Sequence, residues 1–560
     1  MNPALANSMW LAGCLPALAR FHRATKRVSQ TQESILRAIL GANASAEFGR
    51  RHGFSSIGSS RDYQQRVPLC DYDACSSAVK RIAAGEPNVL TSDPVRLFEP
   101  TSGSSSPEKW IPYNQTLESE FQAGIRAWIA DLFLHDPRLL SGEAYWSVSP
   151  VTTPDRKTLA GIPIGFEEDV SYLGGGQKRM VNSVMAVPGA VRAIADMETF
   201  RYVTLLFLAR RRTLKLISVW NPAFLTLLVA PLEQWGEALA RDLEQGTITA
   251  GAAIPQILRS TLHADLARAR ELRAALRAGA PAAIHAHLWP TLRLLSCWTD
   301  ANSAAPAQHL ASLFPQAHMQ GKGLIATEGF LSFPLHGVEG SALAICSHFL
   351  EFLPADAAGC CEPDRPQLAH QLEKGQRYTA VLTTGGGLYR YQLHDLIEVT
   401  GRIHDCPLIR FLGRQNYVAD WFGEKLNEAH VAGILRDVFG ALALSPAFAM
   451  LACEPDPPAP GYVLYIESSA PEDTLYRAAA SIETGLLDNF HYNYARRLGQ
   501  LAPVRLFRAR GAAESFLDAK RQGGQRPGTI KPLALDQRGG WSRIFCGEFL
   551  LEAASRAVTQ

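Results

Sequence analysis

The sequence predicts an α/β fold with one large and one small unit, and three observations support this prediction. Segments with helical spacing, at 29–40, 121–134 and 260–278, alternate with short apolar strand-like segments. A second pattern of helices and strands begins after Arg414. The chain has 560 residues, of which 47% are hydrophobic and 19% charged, so it is long enough for several domain-sized units and is neither disordered nor fibrous.

The large unit carries most of the predicted elements. Residues 29–40 are predicted to be helical, and residues 43–51 to form a loop. Residues 121–134 form an apolar helix, and residues 260–278 form another with an apolar face. Predicted strands lie at 95–99, 378–382 and 396–399.

The small unit repeats the pattern on a shorter scale. Helices are predicted at 425–439 and 470–489, and strands at 462–468 and 502–508. We therefore predict two domains, 1–413 and 414–560.

Charge and cysteine content exclude several classes of partner. The 55 basic and 53 acidic residues give a net charge of +2, so we expect neither a nucleic-acid nor a membrane partner. The ten cysteines form no C-x-x-C pair, which indicates reduced thiols and a cytoplasmic protein. Leu11–Cys14 resembles a lipoprotein processing box, but no Lys or Arg precedes Arg20, and we expect no export signal. The longest uncharged run, 216–232, is too short for a membrane span.

A hydroxyl-rich loop follows the predicted strand at 95–99. It contains Thr101, Ser102, Gly103, Ser104 and Ser105 and ends at a lysine. Hydroxyl and backbone N–H groups of such a turn can donate to phosphate oxygens, and glycine permits close approach. By itself the segment is also compatible with a Ser-rich surface loop.

Two further segments each contain an acidic residue at a position where it could bind a ligand. In the first, Glu328 follows Thr327, and a carboxylate beside a phosphate site can hold Mg²⁺. In the second, three glycines lead to Tyr389 and Arg390 and then to Asp395, an acid on a strand that could accept both ribose hydroxyls. Taken alone, each segment fits an ordinary turn or strand end better than a binding site.

The remaining candidates are basic residues of the small unit. Arg414 precedes Lys425, and Lys531 lies in a Gly-Thr-Ile-Lys-Pro segment near the C-terminus. None of these positions identifies a function in isolation.

The order and spacing of the segments carry more information than any one of them. The hydroxyl loop, Thr-Glu, Tyr-Arg-x-x-x-x-Asp, Gly-Glu-Lys and a late lysine recur in adenylate-forming enzymes. Together with flanking segments at 48–54, 85–91 and 288–290, the chain resembles the auxin-responsive promoter family of acyl-acid amido synthetases. The resemblance covers roughly residues 30–532.

The resemblance implies an adenylate-forming, firefly-luciferase-like architecture. Its large N-terminal adenylation domain would contain β-sheets flanked by helices and a β-barrel element, and its small C-terminal domain would be a mobile lid hinged near Arg414. ATP and Mg²⁺ would activate a carboxylic acid, and an amine, expected to be an amino acid, would receive the acyl group. The acyl pocket would draw on residues 149–165 and the apolar stretch near Leu216.

The resemblance also assigns the site residues. The nucleotide would be bound by Thr101, Ser102, Gly103, Ser104, Ser105, Thr327, Glu328, Tyr389, Asp395 and Arg414. Glu328 would also position the metal, and Lys531 and Lys425 would be catalytic. The sequence departs from the family pattern at Pro107, Leu324 and His394, which stand where a glycine, an aromatic residue and a glycine are usual.

Two alternatives remain open from the sequence. A thiol acceptor would make the protein an acyl-CoA ligase, and altered chemistry would leave a non-catalytic nucleotide or carboxylate sensor. The sequence names neither the acid nor the amine, and it leaves the oligomeric state undetermined.

Overall fold

The computed structural model describes residues 2–101, 109–146, 156–165, 183–251, 254–355, 366–414, 418–419, 421, 424–454, 460–522, 525 and 530–550. The helices are α1 Pro3–Ala24, α2 Val28–Asn43, α3 Glu47–Arg51, α4 Ser60–Arg66, α5 Tyr72–Ala83, α6 Gln115–His135, α7 Met197–Arg210, α8 Pro222–Val229, α9 Leu232–Gln245, α10 Gln256–Thr261, α11 Leu266–Leu276, α12 Pro281–Leu288, α13 Ala304–Leu313, α14 Glu428–Ala441, α15 Glu472–Leu487, α16 Phe490–Arg497 and α17 Ala512–Gln522.

The strands make up five sheets. They are β1 Leu97–Thr101, β2 Lys109–Tyr113, β3 Glu143–Trp146, β4 Arg156–Lys157, β5 Pro163–Ile164, β6 Leu214–Ser218, β7 Leu294–Ser296, β8 His318–Gln320, β9 Ser332–Pro334, β10 Ser341–Leu343, β11 Phe349–Ala355, β12 Gln367–Leu368, β13 Arg377–Thr383, β14 Tyr391–Ile403, β15 Cys406–Arg414, β16 Val418–Ala419, β17 Leu426–Asn427, β18 Phe448–Glu454, β19 Gly461–Glu467, β20 Ala502–Arg510, β21 Leu535–Asp536 and β22 Cys546–Leu550.

A four-stranded parallel sheet lies in the middle of the large unit. Its strand order is β3-β6-β7-β8, and all three neighbouring pairs are parallel. Apolar residues of this sheet and of helices α7 to α13 form one core, which contains the fully buried Trp289. Ligands of parallel sheets bind beyond the carboxyl ends of the strands, and here those ends are Trp146, Ser218, Ser296 and Gln320.

A seven-stranded antiparallel sheet completes the large unit. Its order is β12-β11-β13-β14-β15-β10-β9, and its apolar residues share a core with α1, α5 and α6. The resemblance implies a β-barrel element, and the described residues form this open seven-stranded order instead. Its strand β15 ends at Arg414, directly opposite Asp395 of β14.

The C-terminal residues build a separate sheet of order β21-β18-β19-β20-β22. Its two faces support separate apolar clusters, one with α14 and α15 and one with α17 and Trp541. Contacts with the large unit include an ion pair of 2.7 Å between Arg201 and Glu514.

Helix α1 accounts for the N-terminal apolar segment. It packs along α6, and Cys14 is fully buried within it. None of the helices in the described ranges combines the length and hydropathy needed to cross a membrane.

Most of the predicted elements of the large unit are confirmed, with two corrections. Residues 43–51 are not a continuous loop, because Glu47–Arg51 form a short helix. That helix depends on tertiary contacts, since Glu47 pairs with Arg81 and its backbone N–H donates to the Asn88 carbonyl. Residues 260–278 do not form one helix, because the chain breaks before Asp265, whose carboxylate caps the second helix at the Arg268 N–H.

The predicted pattern of the small unit is also confirmed. Helices at 425–439 and 470–489 correspond to α14 and α15, and strands at 462–468 and 502–508 correspond to β19 and β20. Helix α16, rich in tyrosine and arginine, was not predicted, because it lacks an apolar repeat.

Gly124 of α6 allows the helix to lie close to the ring of Phe330, which follows Glu328 by two residues. A Cβ at this position would lie 2.3 Å from the ring of Phe330. Because both ring and helix are buried, we expect Gly124→Ala to destabilise the protein by about 1–3 kcal/mol. Gly41→Ala is the matched control, since nothing lies within 4 Å of its added methyl. The control should raise stability by about 0.5–1 kcal/mol, and equal thermal melting temperatures of both variants would contradict the packing argument.

Candidate active site

A cavity of about 570 Å³ lies between the large unit and the C-terminal residues. Its wall combines the segment after β7, the loop after β8 and the segment around Lys531. It includes the side chains of Trp298, Leu324, Arg414, Glu428 and Lys531. The cavity therefore brings together residues that are far apart in sequence.

The cavity is bordered by an ion pair between neighbouring strands. Arg414 Nε lies 3.0 Å from Asp395 Oδ1, and the two residues are register partners on β14 and β15. The charge of Asp395 is the main reason that the pKa of Arg414 is raised. Asp395 is fully buried, yet its Oδ2 has no hydrogen-bond partner among the described residues. An acceptor left unpaired in this way is costly unless a ligand donates to it.

A bulge in β14 determines where Asp395 lies. Thr379 pairs with Leu396 and Val381 pairs with Gln392, so three residues of β14 stand opposite one residue of β13. His394, within this bulge, has a left-handed φ of 59°. Glycine adopts this conformation without strain, which explains why a glycine is usual here. Burial lowers the pKa of the His394 imidazole.

Glu328 and Thr327 lie in a tight turn. Ile325 and Phe330 bridge the turn, and the Ala326 N–H donates to the Gly329 carbonyl at 3.0 Å. The Glu328 side chain is buried and close enough to Arg414 and Lys531 to affect the pKa values of both. The structure thus groups Glu328, Asp395, Arg414 and Lys531.

Lys531 reaches this group from the C-terminal unit. The amide nitrogen of Asn221 donates to the Ile530 carbonyl at 3.0 Å, and Asn221 also caps helix α8. Lys531 lines the cavity with its Nζ 6.0 Å from the ring centroid of Trp298. Burial by the surrounding protein, followed by the charge of Arg414, lowers the pKa of Lys531.

Glu428, the first residue of α14, links the hinge region to the segment of Lys531. One oxygen accepts from the Arg414 N–H at 3.5 Å, and the other accepts from the Ala534 N–H at 3.2 Å. One carboxylate therefore connects the end of β15 to the chain that follows Lys531.

Six predicted site residues in the described ranges do not line the cavity themselves: Thr101, Thr327, Glu328, Tyr389, Asp395 and Lys425. Tyr389 is buried, stacks on Phe48 with ring centroids 4.7 Å apart, and donates its hydroxyl to the Leu90 carbonyl. Lys425 is exposed with a φ of 45°, and it does not line the cavity. The placement of Tyr389 and Lys425 gives no support to their predicted nucleotide-binding and catalytic roles.

The hydroxyl-rich loop contributes one described residue. Thr101 ends strand β1 and is half-buried. Ser102, Gly103, Ser104 and Ser105 lie outside the described residues. Their role in phosphate binding stays a prediction.

Sequence reasoning missed two residues of the cavity wall, Trp298 and Lys322. Trp298 supplies an aromatic ring to the cavity, on whose wall Leu324 stands where the family pattern has an aromatic residue. The only local signal was a lysine between two glycines just ahead of the Thr-Glu pair, which single-sequence patterns do not associate with any chemistry.

Comparison with known proteins identifies the family of this chain. Residues 17–319 match the GH3 family N-terminal domain, and residues 341–414 match the GH3 family central domain. The chain is 25% identical to indole-3-acetic acid-amido synthetase GH3.8 of Oryza sativa subsp. indica over 528 residues, covering 88% of this chain and 86% of the relative. It is 25% identical to indole-3-acetic acid-amido synthetase GH3.3 of Arabidopsis thaliana, covering 75% and 73%.

A solved structure shares the fold over nearly the whole chain. The AtGH3.15 acyl acid amido synthetase in complex with 2,4-DB superposes with a TM-score of 0.81 at 21% identity, covering 95% of each chain. The fold is thus that of an acyl acid amido synthetase. The chain belongs to the GH3 family. The family, fold and class of ligase predicted from the sequence are confirmed.

Arg390 of the Tyr-Arg motif holds the fold around the site. It is buried, pairs with Glu351 at 3.0 Å and donates to the carbonyls of Gln64 and Val67. Arg390→Met leaves a buried carboxylate unpaired, so we expect a loss of about 3–5 kcal/mol in stability. Thermal melting would measure this loss, and a double variant with Glu351→Leu should recover part of it. A single variant with normal stability but weak ATP binding would show that Arg390 acts on the nucleotide instead.

Proposed function

We propose that this protein uses ATP to convert a carboxylic acid into an acyl-adenylate and then transfers the acyl group to the amine of an amino acid. The observation that carries the proposal is the grouping of Glu328 and Asp395 with Arg414 and Lys531, of which the two basic residues line the cavity. These residues come from the turn after β8, from strands β14 and β15 and from the C-terminal segment. Membership of the GH3 family supports the same chemistry.

Activation is needed because a free carboxylate is a poor acyl donor. A carboxylate oxygen attacks the α-phosphorus of ATP, and the bond from that phosphorus to the bridging oxygen breaks and releases pyrophosphate. In the second step the amine nitrogen attacks the acyl carbonyl, AMP leaves with the bonding electron pair, and the amine loses a proton. Negative charge gathers at the phosphoryl group in the first step, so positioned cations contribute most there.

The chain's own residues divide these tasks. Arg414 and Lys531 supply positive charge at the cavity, and we assign the ribose to Asp395, whose unpaired Oδ2 can accept from a hydroxyl. Asp395 also holds the Arg414 guanidinium in place through the 3.0 Å ion pair.

We assign Mg²⁺ to Glu328. The described residues contain no group of three or more potential metal-ligating side chains, so these residues alone offer no complete cage. Mg²⁺ usually binds through one or two carboxylates together with substrate phosphates, which a single buried carboxylate fits. The ion would neutralise phosphate charge during the first step.

We also propose that the C-terminal residues from 414 onward act as a lid, hinged at the end of β15. The Asn221–Ile530 hydrogen bond holds Lys531 at the cavity, which suits the first step. We place the reaction in the cytoplasm on the sequence argument. We propose a small-molecule acid and an amino acid as its substrates.

ATP–pyrophosphate exchange with a panel of acids tests the proposal. Exchange that depends on one acid, followed by an amide product with amino acids and no thioester with coenzyme A, is the expected result. Exchange coupled only to coenzyme A would identify an acyl-CoA ligase, and no exchange with any acid would indicate a sensor.

Asp395→Ala should raise the ATP Michaelis constant more than it lowers turnover. Ribose contacts are similar in the ground and transition states, so losing such uniform binding raises the Michaelis constant, whereas releasing Arg414 from its ion pair accounts for a smaller fall in turnover. Losing a hydrogen bond to a charged group predicts an effect of about 10- to 100-fold on kcat/KM for ATP. Asp405→Ala, at an exposed turn beyond the same strand, is the control. A pure turnover defect with normal ATP affinity would contradict the ribose assignment.

Lys531→Ala should slow adenylation and spare amide formation. Its charge meets the α-phosphate only while the lid holds it at the cavity, so exchange should fall at least about 10-fold. Amide formation from pre-formed acyl-adenylate should continue at nearly the normal rate. Because the pKa of Lys531 is lowered, the wild-type exchange rate should fall with rising pH below the usual lysine range, as the charge is lost. Lys374→Ala, an exposed lysine of the large unit, is the control, and equal loss in both half-reactions would exclude the lid role.

A further inference from the structure

Four side chains form a row at the carboxyl edge of the parallel sheet. Trp146, Ser218, Ser296 and Gln320 are successive register partners on β3, β6, β7 and β8. Register partners of neighbouring strands project on the same face, so these side chains share one side of the sheet. Lys322 follows two residues after Gln320 and is 4% exposed.

Lys322 lies in a cage of indole rings. Its Nζ is 4.8 Å from the ring centroid of Trp220, 5.3 Å from that of Trp128 and 5.7 Å from that of Trp146. Cation–π contacts stabilise an ammonium group at such distances. Gly323 allows the chain to turn here, because its φ is 71° and a Cβ would lie 2.5 Å from the Ser332 carbonyl oxygen.

The Lys322 ammonium has unused hydrogen-bonding capacity. It donates to Ser218 Oγ at 2.6 Å, and no carboxylate in the described ranges pairs with it. Desolvation lowers its pKa to about 7. An ammonium buried without a counter-charge is costly, and an anionic or accepting group of a ligand would relieve that cost.

Other polar atoms beside Lys322 also lack partners. Ser296 Oγ and Trp146 Nε1 are buried with no hydrogen bond to any residue that the structure describes. Ser296 is 2% exposed. Three polar groups with free capacity on one face of the sheet are typical of a site for an oxygen-bearing ligand.

The cage opens toward the cavity of the proposed reaction. Lys322 and Gln320 line that cavity together with Arg414 and Lys531. A continuous series of contacts joins the two ends, since Trp220 lies 5.9 Å from Trp298 and Trp298 lies 6.0 Å from Lys531 Nζ. Because Trp298, Lys322 and Lys531 all line one cavity, a molecule whose carboxylate is activated near Lys531 can extend past Trp298 to Lys322.

We propose that Lys322 determines specificity for the acid, and that the preferred acid carries a second oxygen, anionic or hydrogen-bond accepting, at the end remote from the activated carboxylate. This inference rests on the proposed function. The carboxylate of the amino-acid acceptor offers the same chemistry, but the Lys322 ammonium lies among three indole rings, an apolar setting that suits the body of the acid. We therefore assign the group that meets Lys322 to the acid.

The test uses ATP–pyrophosphate exchange without any amine. The probes are benzoate with its ring-hydroxylated and ring-carboxylated isomers, and hexanoate with adipate. In wild type, at least one substituted acid should exceed its parent in kcat/KM by about 10- to 100-fold, the value of a hydrogen bond to a charged group. Lys322→Met should abolish that preference by lowering kcat/KM for the substituted acid far more than for its parent. Lys374→Met should keep the wild-type pattern.

The remaining outcomes separate this inference from the proposed function. An equal loss for parent and substituted acids would assign Lys322 a purely structural role, and an effect confined to the Michaelis constant of the amino acid would assign it to the acceptor. Either result overturns the inference, as does a wild-type preference for the parent acids. No exchange with any acid overturns the proposed function itself. If Lys322→Met fails to fold, Ser218→Ala should weaken the same preference by a smaller factor, and an unchanged preference would overturn the inference.

Discussion

The ion pair between Arg414 and Asp395 is the constraint on which the site depends. It joins two antiparallel strands at the last residue of the large sheet, where the chain continues into the C-terminal residues. Because Asp395 is fully buried, its charge requires this guanidinium. The pair uses only one carboxylate oxygen and leaves the other for a ligand. The same contact therefore fixes the end of the sheet and leaves Asp395 Oδ2 available to accept a hydrogen bond from a ligand.

Three basic residues that line the cavity, Lys322, Arg414 and Lys531, are not all paired with a carboxylate. Arg414 has Asp395, whereas the described surroundings give Lys322 only a hydroxyl and indole rings. The lowered pKa of Lys322 reflects the cost of holding an ammonium away from water, whereas the pKa of Lys531, an exposed residue, is lowered by the protein around it and by the charge of Arg414. Such groups gain most when an anionic substrate or a developing negative charge arrives, which is the condition for electrostatic catalysis.

Sequence reasoning recovered the fold, and it singled out four residues that the structure brings together, but it did not find the cavity wall beside them. The order of motifs identified Glu328, Asp395, Arg414 and Lys531, and the structure groups all four. Tyr389 belonged to the same motif, but its ring packs on Phe48 instead of lining the cavity. Its role could not be judged beforehand, because a tyrosine beside a motif can face either the core or the ligand. The short helix at Glu47–Arg51 was missed for a similar reason, since its contacts come from Arg81 and Asn88.

The sequence by itself determined the alternation of helices and strands, the two-unit division of the pattern and the family. These properties depend on local periodicity and on the spacing of motifs along one chain. Only the tertiary structure decided that the Thr-Glu turn, the β14 bulge and the Lys531 segment meet, and that Lys322 lies among three tryptophans from separate elements. Several of these contacts join residues more than 100 positions apart, and their energies depend on burial and on neighbouring charges, which no local pattern encodes.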